Sequence, residues 1–382
     1  MHVVQTVFRD ESQLTQDFSL LQSCSPQLLL VFGSGRWLKK LMQPLADGFS
    51  QAVRLGCSTA GEISKLGVTA GSCVVTAIHF DATEVHSAST ALSSMEDSCA
   101  AGMRLATQMP APGLRAVLVL GQGLAINGSA LITGLNQVLA PSVLIFGGLA
   151  GDDAAFMETW VLDNAGVHNN RVTCVGLYGE ALALAHGTGG GWEPFGPARK
   201  VTRSMNNVLF ELDGEPALDV YRRYLGEHAA NLPASGLLFP FDMLASDQSE
   251  VGLIRTILAV DKVQGSLTLA GEIEPGGYLR LMHASTNALV DGAEAAAHGA
   301  SIALASGHHK LALLVSCVGR KLVMGGRVEE EVEAVADVFQ TGSVLTGFYS
   351  YGEISPFTGD TACKLHNQTM TITHLAERPQ GA

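Results

Sequence analysis

Few residues in this sequence stand where side-chain chemistry needs them. The seven cysteines, Cys24, Cys57, Cys73, Cys99, Cys174, Cys317 and Cys363, are scattered singly with no CxxC pair. That pattern argues against a zinc knuckle, a disulfide framework and a c-type haem attachment. Cys57 lies in the glycine-rich stretch GCSTAGEIS (56–64), and Cys317 lies beside Gly319 and Arg320. A thiolate nucleophile needs a nearby base, normally histidine. Neither cysteine has one close in sequence, and both read as small buried hydrophobes. Asp152-Asp153 has no second carboxylate cluster at ligand spacing and reads as a cap or surface pair. Gly33-Ser34-Gly35 lacks the third glycine of a dinucleotide loop and the lysine of a phosphate loop. No enzyme constellation emerges. Glu62 and Glu353 remain, each inside a Gly-Glu-Ile-Ser stretch that either meets a ligand or holds a turn.

The elements that position these residues follow from apolar patterning. QLLLVFG (27–33), LRAVLVLG (114–121), 142–146 and 311–318 are short apolar runs of the kind that form buried strands. Leu38, Leu41, Met42, Leu45 and Phe49 fall on one face of a helix within 37–54. Asn127 can cap a helix running to about Leu139, and 328–339 reads as another helix. Between these lies a different segment, 192–225, with two short strands, a hairpin turn at Asp213-Gly214 and a helix opening at Pro216. A further hairpin is expected over 267–282, turning at Pro275-Gly276-Gly277.

Strand, helix and glycine-rich turn recur in order. GCSTAGEIS (56–64) matches GFYSYGEIS (347–355), TAIHF (76–80) matches TITHL (371–375) and so pairs His79 with His374, and AGD (150–152) stands for the same turn in the middle of the chain. This is an internal duplication whose copies must pack together to complete a core. The expected fold class is α/β (mixed α+β): two packed domains with mixed β-sheets flanked by helices.

Composition bounds the function. The chain has 382 residues, 47% of them hydrophobic, and a formal net charge of −13. A strongly acidic chain argues against nucleic acid and against anionic lipid. No apolar stretch reaches the ~18–20 residues of a membrane span, and the first residues lack a secretory pattern. A reduced, cytoplasmic protein is the expectation.

The stretches SCVGR (316–320), GFYSYGEISP (347–356) and VTRSMNNVLFELDGEPALDVYRRYLG (201–226) resemble the FIST family, over roughly 27–374. The resemblance implies a 1–26 extension, a FIST-N-like domain over 27–219, a FIST-C-like domain over 220–376 and a tail at 377–382. It implies a sensory protein with a small ligand. HGTGGGWEPFGPARKVTRS (186–204) is similar to the nitric-oxide-sensing haem proteins of the NosP type within that family.

That second resemblance implies haem b, nitric oxide or another diatomic gas as the signal, and a partner histidine kinase. Haem iron takes an axial histidine. Among the twelve histidines, His186 ends an apolar strand and precedes a glycine loop, where backbone can approach a flat ligand. The bland alternative for His186 is a surface residue at a strand end. Trp192 and Phe195 would wall the ligand, and Arg199, Lys200 and Arg203 would pair with propionates. His283, His168 and His366 are the other ligand candidates, Cys57 and Cys317 the minor ones. His298, His308 and His309 read as solvent-facing. The alternative is a haem-free module that binds an amino acid or similar metabolite. In the family the turn Tyr351-Gly352-Glu353 is thought to line the ligand site, and Asn367 and Gln368 would add amide contacts. A homodimer is the commonest assembly for soluble oligomers.

Overall fold

Three runs of chain with the same order of elements build the body of the protein. The structure is a computed structural model that describes residues 1–10, 14–232, 234–302, 310–356 and 363–378. His308, His309 and residues 379–382 of the tail lie outside the described residues. The first unit contains β1 (His2–Phe8), α1 (Leu14–Gln22), β2 (Leu28–Gly33), α2 (Gly35–Gly48), β3 (Val53–Ser58), β4 (Glu62–Ser64), β5 (Gly67–Thr69) and β6 (Cys73–His79). The second contains β7 (Glu84–Ala91), α3 (Ser98–Thr107), β8 (Leu114–Gly121), α4 (Gly128–Val138), β9 (Leu144–Leu149), β10 (Val161–Asp163), β11 (Gly166–His168) and β12 (Arg171–Tyr178).

The third unit opens with β13 (Leu182–Gly189) and is then interrupted by an insert. The insert holds β14 (Glu193–Pro194), β15 (Arg199–Met205), β16 (Val208–Leu212), β17 (Glu215–Pro216), α5 (Ala217–Leu225), β18 (Phe241–Leu244), β19 (Glu250–Arg255), β20 (Ile257–Asp261), β21 (Ser266–Leu269) and β22 (Tyr278–His283). The unit resumes with α6 (Thr286–Gly299), β23 (Lys310–Cys317), α7 (Val318–Met324), α8 (Glu329–Phe339), β24 (Ser343–Ser350), β25 (Gly352–Pro356), β26 (Cys363–His366) and β27 (Met370–Glu377).

The units exchange hairpins. The first sheet runs β1-β6-β2-β3 and is completed by β10-β11 of the second unit. The second runs β7-β12-β8-β9 and is completed by β25-β26 of the third. The third runs β13-β27-β23-β24 and is completed by β4-β5 of the first. The fold is thus α/β with mixed sheets, and the repeat expected between the two ends has a full third copy between them. The stretch 1–26, expected as an extension, is integral: β1 pairs with β6 along its whole length.

Each sheet buries both faces, which is why its central strands are unbroken apolar runs. Leu28, Leu30 and Phe32 of β2, Leu118 and Leu120 of β8, and Leu311 and Leu313 of β23 meet in one shared core. The alternate residues face helices: Leu29 and Val31 pack under α2, Val117 and Val119 under α3 and α4, and Leu314 with residues of α6 and α8. Ser34 and Asn127 cap α2 and α4 through Trp37 N–H and Ala130 N–H. The first of these helices stops at Gly48, short of the expected 54, because Val53 already pairs with Leu28 in the sheet.

Register corrects two repeat alignments. β2 sets Leu28 opposite Ile78, and β23 sets Leu311 opposite Leu375. His374 therefore corresponds to Ala77, not His79, a slip of two residues that preserves the strand face. In the middle copy Val161 and Leu162 pair with β3 as Glu62 and Ile63 pair with β24. Asp152 lies before that hairpin, so AGD is not the equivalent of AGE.

The insert forms its own sheet and core, with Leu209, Leu218, Tyr221, Leu267 and Leu281 buried together. Its turn at Asp213-Gly214 is the expected hairpin, with φ of 53° and 80°. The hairpin expected over 267–282 does not form: β21 pairs with β16 and β20, while β22 pairs with β14, β15 and β18. The turn at Pro275-Gly276 only redirects the chain between them.

Three glycines sit at matched places on the third core strands. A Cβ would lie 2.2 Å from Val31 O at Gly56, 2.0 Å from Val119 O at Gly147 and 1.8 Å from Leu314 O at Gly347. Gly347→Ala is expected to lower stability by about 3 kcal/mol through forced backbone displacement. Gly326→Ala, where a Cβ meets nothing within 4 Å, should change it by under about 0.5 kcal/mol. Urea unfolding of the two variants checks this.

Candidate functional site

The two repeated carboxylates are held alike. Glu62 Oε1 accepts from Thr59 Oγ1 at 2.6 Å, and its Oε2 accepts from Ser72 N–H at 3.1 Å and Ser72 Oγ at 2.7 Å. Glu353 Oε1 accepts from Ser350 Oγ at 2.7 Å, and its Oε2 from Thr369 N–H at 3.3 Å and Thr369 Oγ1 at 3.0 Å. Each carboxyl ties the start of an exchanged hairpin to the residue before the last strand of its own unit. Glu353 is fully buried, and its hydrogen bonds hold the turn. Burial pushes its pKa up to about 8, against the pull of these hydrogen bonds.

Tyr351 and Asn367, close in sequence to this network, line a cavity of about 240 Å³. Its floor is the loop Gly123–Gly128 after β8, with Leu149, Cys317 and Leu365. The insert closes it with Asn207, Leu237, Thr256, Leu258 and Leu269. Asn367 is only 1% exposed, and its Oδ1 has no hydrogen-bond partner. Its neighbour Gln368 sits at φ 63° and clamps the insert: Nε2 donates to Leu237 O at 2.9 Å and Thr256 Oγ1 at 3.1 Å. Tyr351 donates to Asp152 and stacks on Phe156 with centroids 4.5 Å apart. No described residue lining the cavity carries a charge.

The residues expected around haem are not gathered at one opening, and none of them lines this cavity. His186 lies half-buried on β13, opposite Thr373. Trp192 is buried with Met282, Leu289 and Met324 and donates to Gln368 O at 2.7 Å. Phe195, 40% exposed, meets the edge of His283. Arg199 pairs with Asp213 at 3.0 Å and donates to Tyr224, and Arg203 pairs with Glu211 at 3.1 Å. The glycine loop has another reason. A Cβ would stand 2.0 Å from Ala296 O at Gly187, 1.8 Å from Gly292 O at Gly189 and 2.0 Å from Ala288 O at Gly191. These glycines admit α6 rather than a flat ligand, and the arrangement does not fit haem.

Of the other histidines, His168 lies 3.5 Å from Asp163 and His283 ends β22. His366 is buried against Ser355 O with its pKa lowered by desolvation to about 4. Cys57 and Cys317 are buried thiols with raised pKa, again by desolvation. Among the described residues no group of three or more His, Cys, Asp or Glu could hold a metal ion, and no helix is long and apolar enough to cross a membrane.

Of the residues expected at a small ligand, Tyr351 and Asn367 line the cavity, whereas the insert's share of it was not expected. The nearest signal was Asn206-Asn207, a turn pair whose first residue adopts φ 54°.

The fold and cavity define a three-unit α/β protein with a ligand-sized cavity against an inserted layer. The chain belongs to the FIST family: the FIST N domain matches residues 27–215 and the FIST C domain residues 217–356, which makes it a sensory module of signal transduction. No curated protein matches it. Among solved structures it is similar to a cyanuric acid hydrolase from A. caulinodans, at 9% identity over 99% of this chain and 100% of that one, with a TM-score of 0.37. That likeness is too distant to bear on chemistry.

The raised pKa of Glu353 has a stability consequence. A carboxyl whose folded pKa exceeds its unfolded value favours the folded state fully at low pH. That contribution is lost as pH rises from the ordinary carboxyl range, 4.5, through about 8. Glu353→Gln should flatten the decline, and thermal melting of both proteins from pH 5 to pH 8.5 checks it.

Proposed function

We propose that this FIST module senses a small, uncharged, largely apolar metabolite that donates a hydrogen bond to Asn367. The observation that carries the reading is the partnerless Oδ1 of a nearly fully buried asparagine facing a cavity. Leaving such an acceptor unsatisfied costs about 1–3 kcal/mol, a cost that a donor on the ligand removes. Walls such as Ile126, Leu149, Leu258 and Leu269 supply apolar contact.

The charge-free lining narrows the metabolite. A free amino acid would bring two charges into a site with no charged partner, and unpaired buried charge is strongly unfavourable. An uncharged molecule fits better than the amino acid expected from the family. The ligand would touch both the third unit, through Tyr351 and Asn367, and the insert, through Thr256 and Leu258. Binding would therefore favour one seating of the insert over others, and a ligand shifts such an equilibrium by its differential affinity.

A thermal-shift screen of uncharged metabolites against free amino acids tests this. An uncharged compound should raise Tm, its affinity should fall about tenfold in Asn367→Ala, and salt from 0.05 to 0.5 M should leave it unchanged. Salt-sensitive binding of an amino acid, or a Soret band that depends on His186 when haem is supplied, would sink the reading.

A further inference from the structure

A second cavity, about 390 Å³, shares only Leu365 with the first. It lies between α4, β26 and the insert, and its inner wall holds Arg255 at the end of β19. This arginine is 4% exposed. Its Nε donates to Glu272 O at 3.3 Å, and its Nη1 to Ile254 O at 3.2 Å and Leu365 O at 3.3 Å. All three acceptors are main-chain carbonyls. Among the described residues none is recorded accepting from Nη2 and no carboxylate forms an ion pair with the guanidinium, on which the exposed Glu272 carboxylate acts only from a distance.

A buried cation is ordinarily paired, because desolvation without a counter-charge is expensive. Burial already pulls the pKa of Arg255 down to about 10. The fold makes room for the guanidinium on purpose: a Cβ at Gly271 would stand 2.7 Å from its Nε, and that glycine holds φ 131°. Ser129, in the first turn of α4, lines the same cavity and has a buried hydroxyl without a partner. A guanidinium edge is shaped for an oxyanion.

We propose that this second cavity binds a short aliphatic monocarboxylate, its carboxylate on Arg255 and its chain against Met243, Leu253 and Ile273. The apolar residues line the same space. Glu272 and Glu274 border it with exposed carboxylates, which Lys364 and Arg255 together only balance. That balance favours a monoanion over a dianion such as phosphate. The site differs from the Asn367 cavity in its charge and its ligand and shares only Leu365 of its lining.

Calorimetric titration of the full chain with sodium butyrate, sodium phosphate and sodium chloride at matched ionic strength tests the proposal. Butyrate should bind saturably, phosphate at least tenfold more weakly, and chloride not at all. Arg255→Met should lose tenfold or more of the butyrate affinity. Thr133→Trp, at an exposed position of α4 that lines the cavity, should fill the space and lose it as well. If Arg255→Met does not fold, Thr133→Trp decides alone. Undiminished butyrate binding in a folded variant, tighter binding of phosphate than butyrate, or no saturable binding to the unaltered protein each overturns the proposal.

Discussion

A closed ring of three main-chain hydrogen bonds joins the three units at the ends of their third strands. Ala60 N–H donates to Tyr349 O at 2.8 Å, Gly151 N–H to Ser58 O at 2.9 Å, and Tyr351 N–H to Leu149 O at 3.2 Å. Every unit donates to one neighbour and accepts from the other, so the set closes only when all three are folded. The exchanged hairpins of the first and third units leave their own sheets directly after this ring, and that of the second follows after a loop to Val161. No unit can bury both faces of its sheet alone, and the shared core containing Phe32 and Phe348, 4.8 Å apart, belongs to all of them. The family boundary between residues 215 and 217 falls within the insert, while the sheets themselves are built across it.

Symmetry in the body makes its departures informative. Glu62 and Glu353 keep the same hydroxyl and N–H partners, yet the middle copy has Val161 at that place and Arg171 where the other copies have Ser72 and Thr369. The third copy alone carries an insert. It is fastened by Trp192 on Gln368 O, by Gln368 on Leu237 and Thr256, and by Arg320, whose fully buried guanidinium holds Glu331, Leu289 O and Gly190 O. Both cavities lie where the insert meets the body. The ring brings Tyr351 to the first of them, and Gln368 at its positive φ turns Asn367 toward the same space. The binding chemistry thus sits where the repeat is broken.

Much of the body is legible in the sequence because it is double-sided. Runs such as Leu28–Gly33 and Leu114–Gly121 are apolar on both faces, and the caps Ser34 and Asn127 mark helix starts directly. Hairpin exchange is not legible, since a strand leaving for another unit's sheet has the same alternation as one that stays. The insert misled for a related reason. The 267–282 stretch has two apolar runs around a Pro-Gly-Gly turn, and only long-range pairing separates them. The glycines after His186 read as space for a ligand when their neighbour is α6. Tyr351 and Asn367 were visible as residues near a repeated turn, but the enclosure needed Thr256 and Leu258 from about a hundred residues away in sequence.

The most direct measurement is a crystal structure of freshly purified protein at a resolution that shows water. Density for an uncharged small molecule, with a donor about 3 Å from Asn367 Oδ1, is the predicted result. A cavity holding only ordered water that satisfies Asn367, or a macrocycle seated against His186, would contradict it.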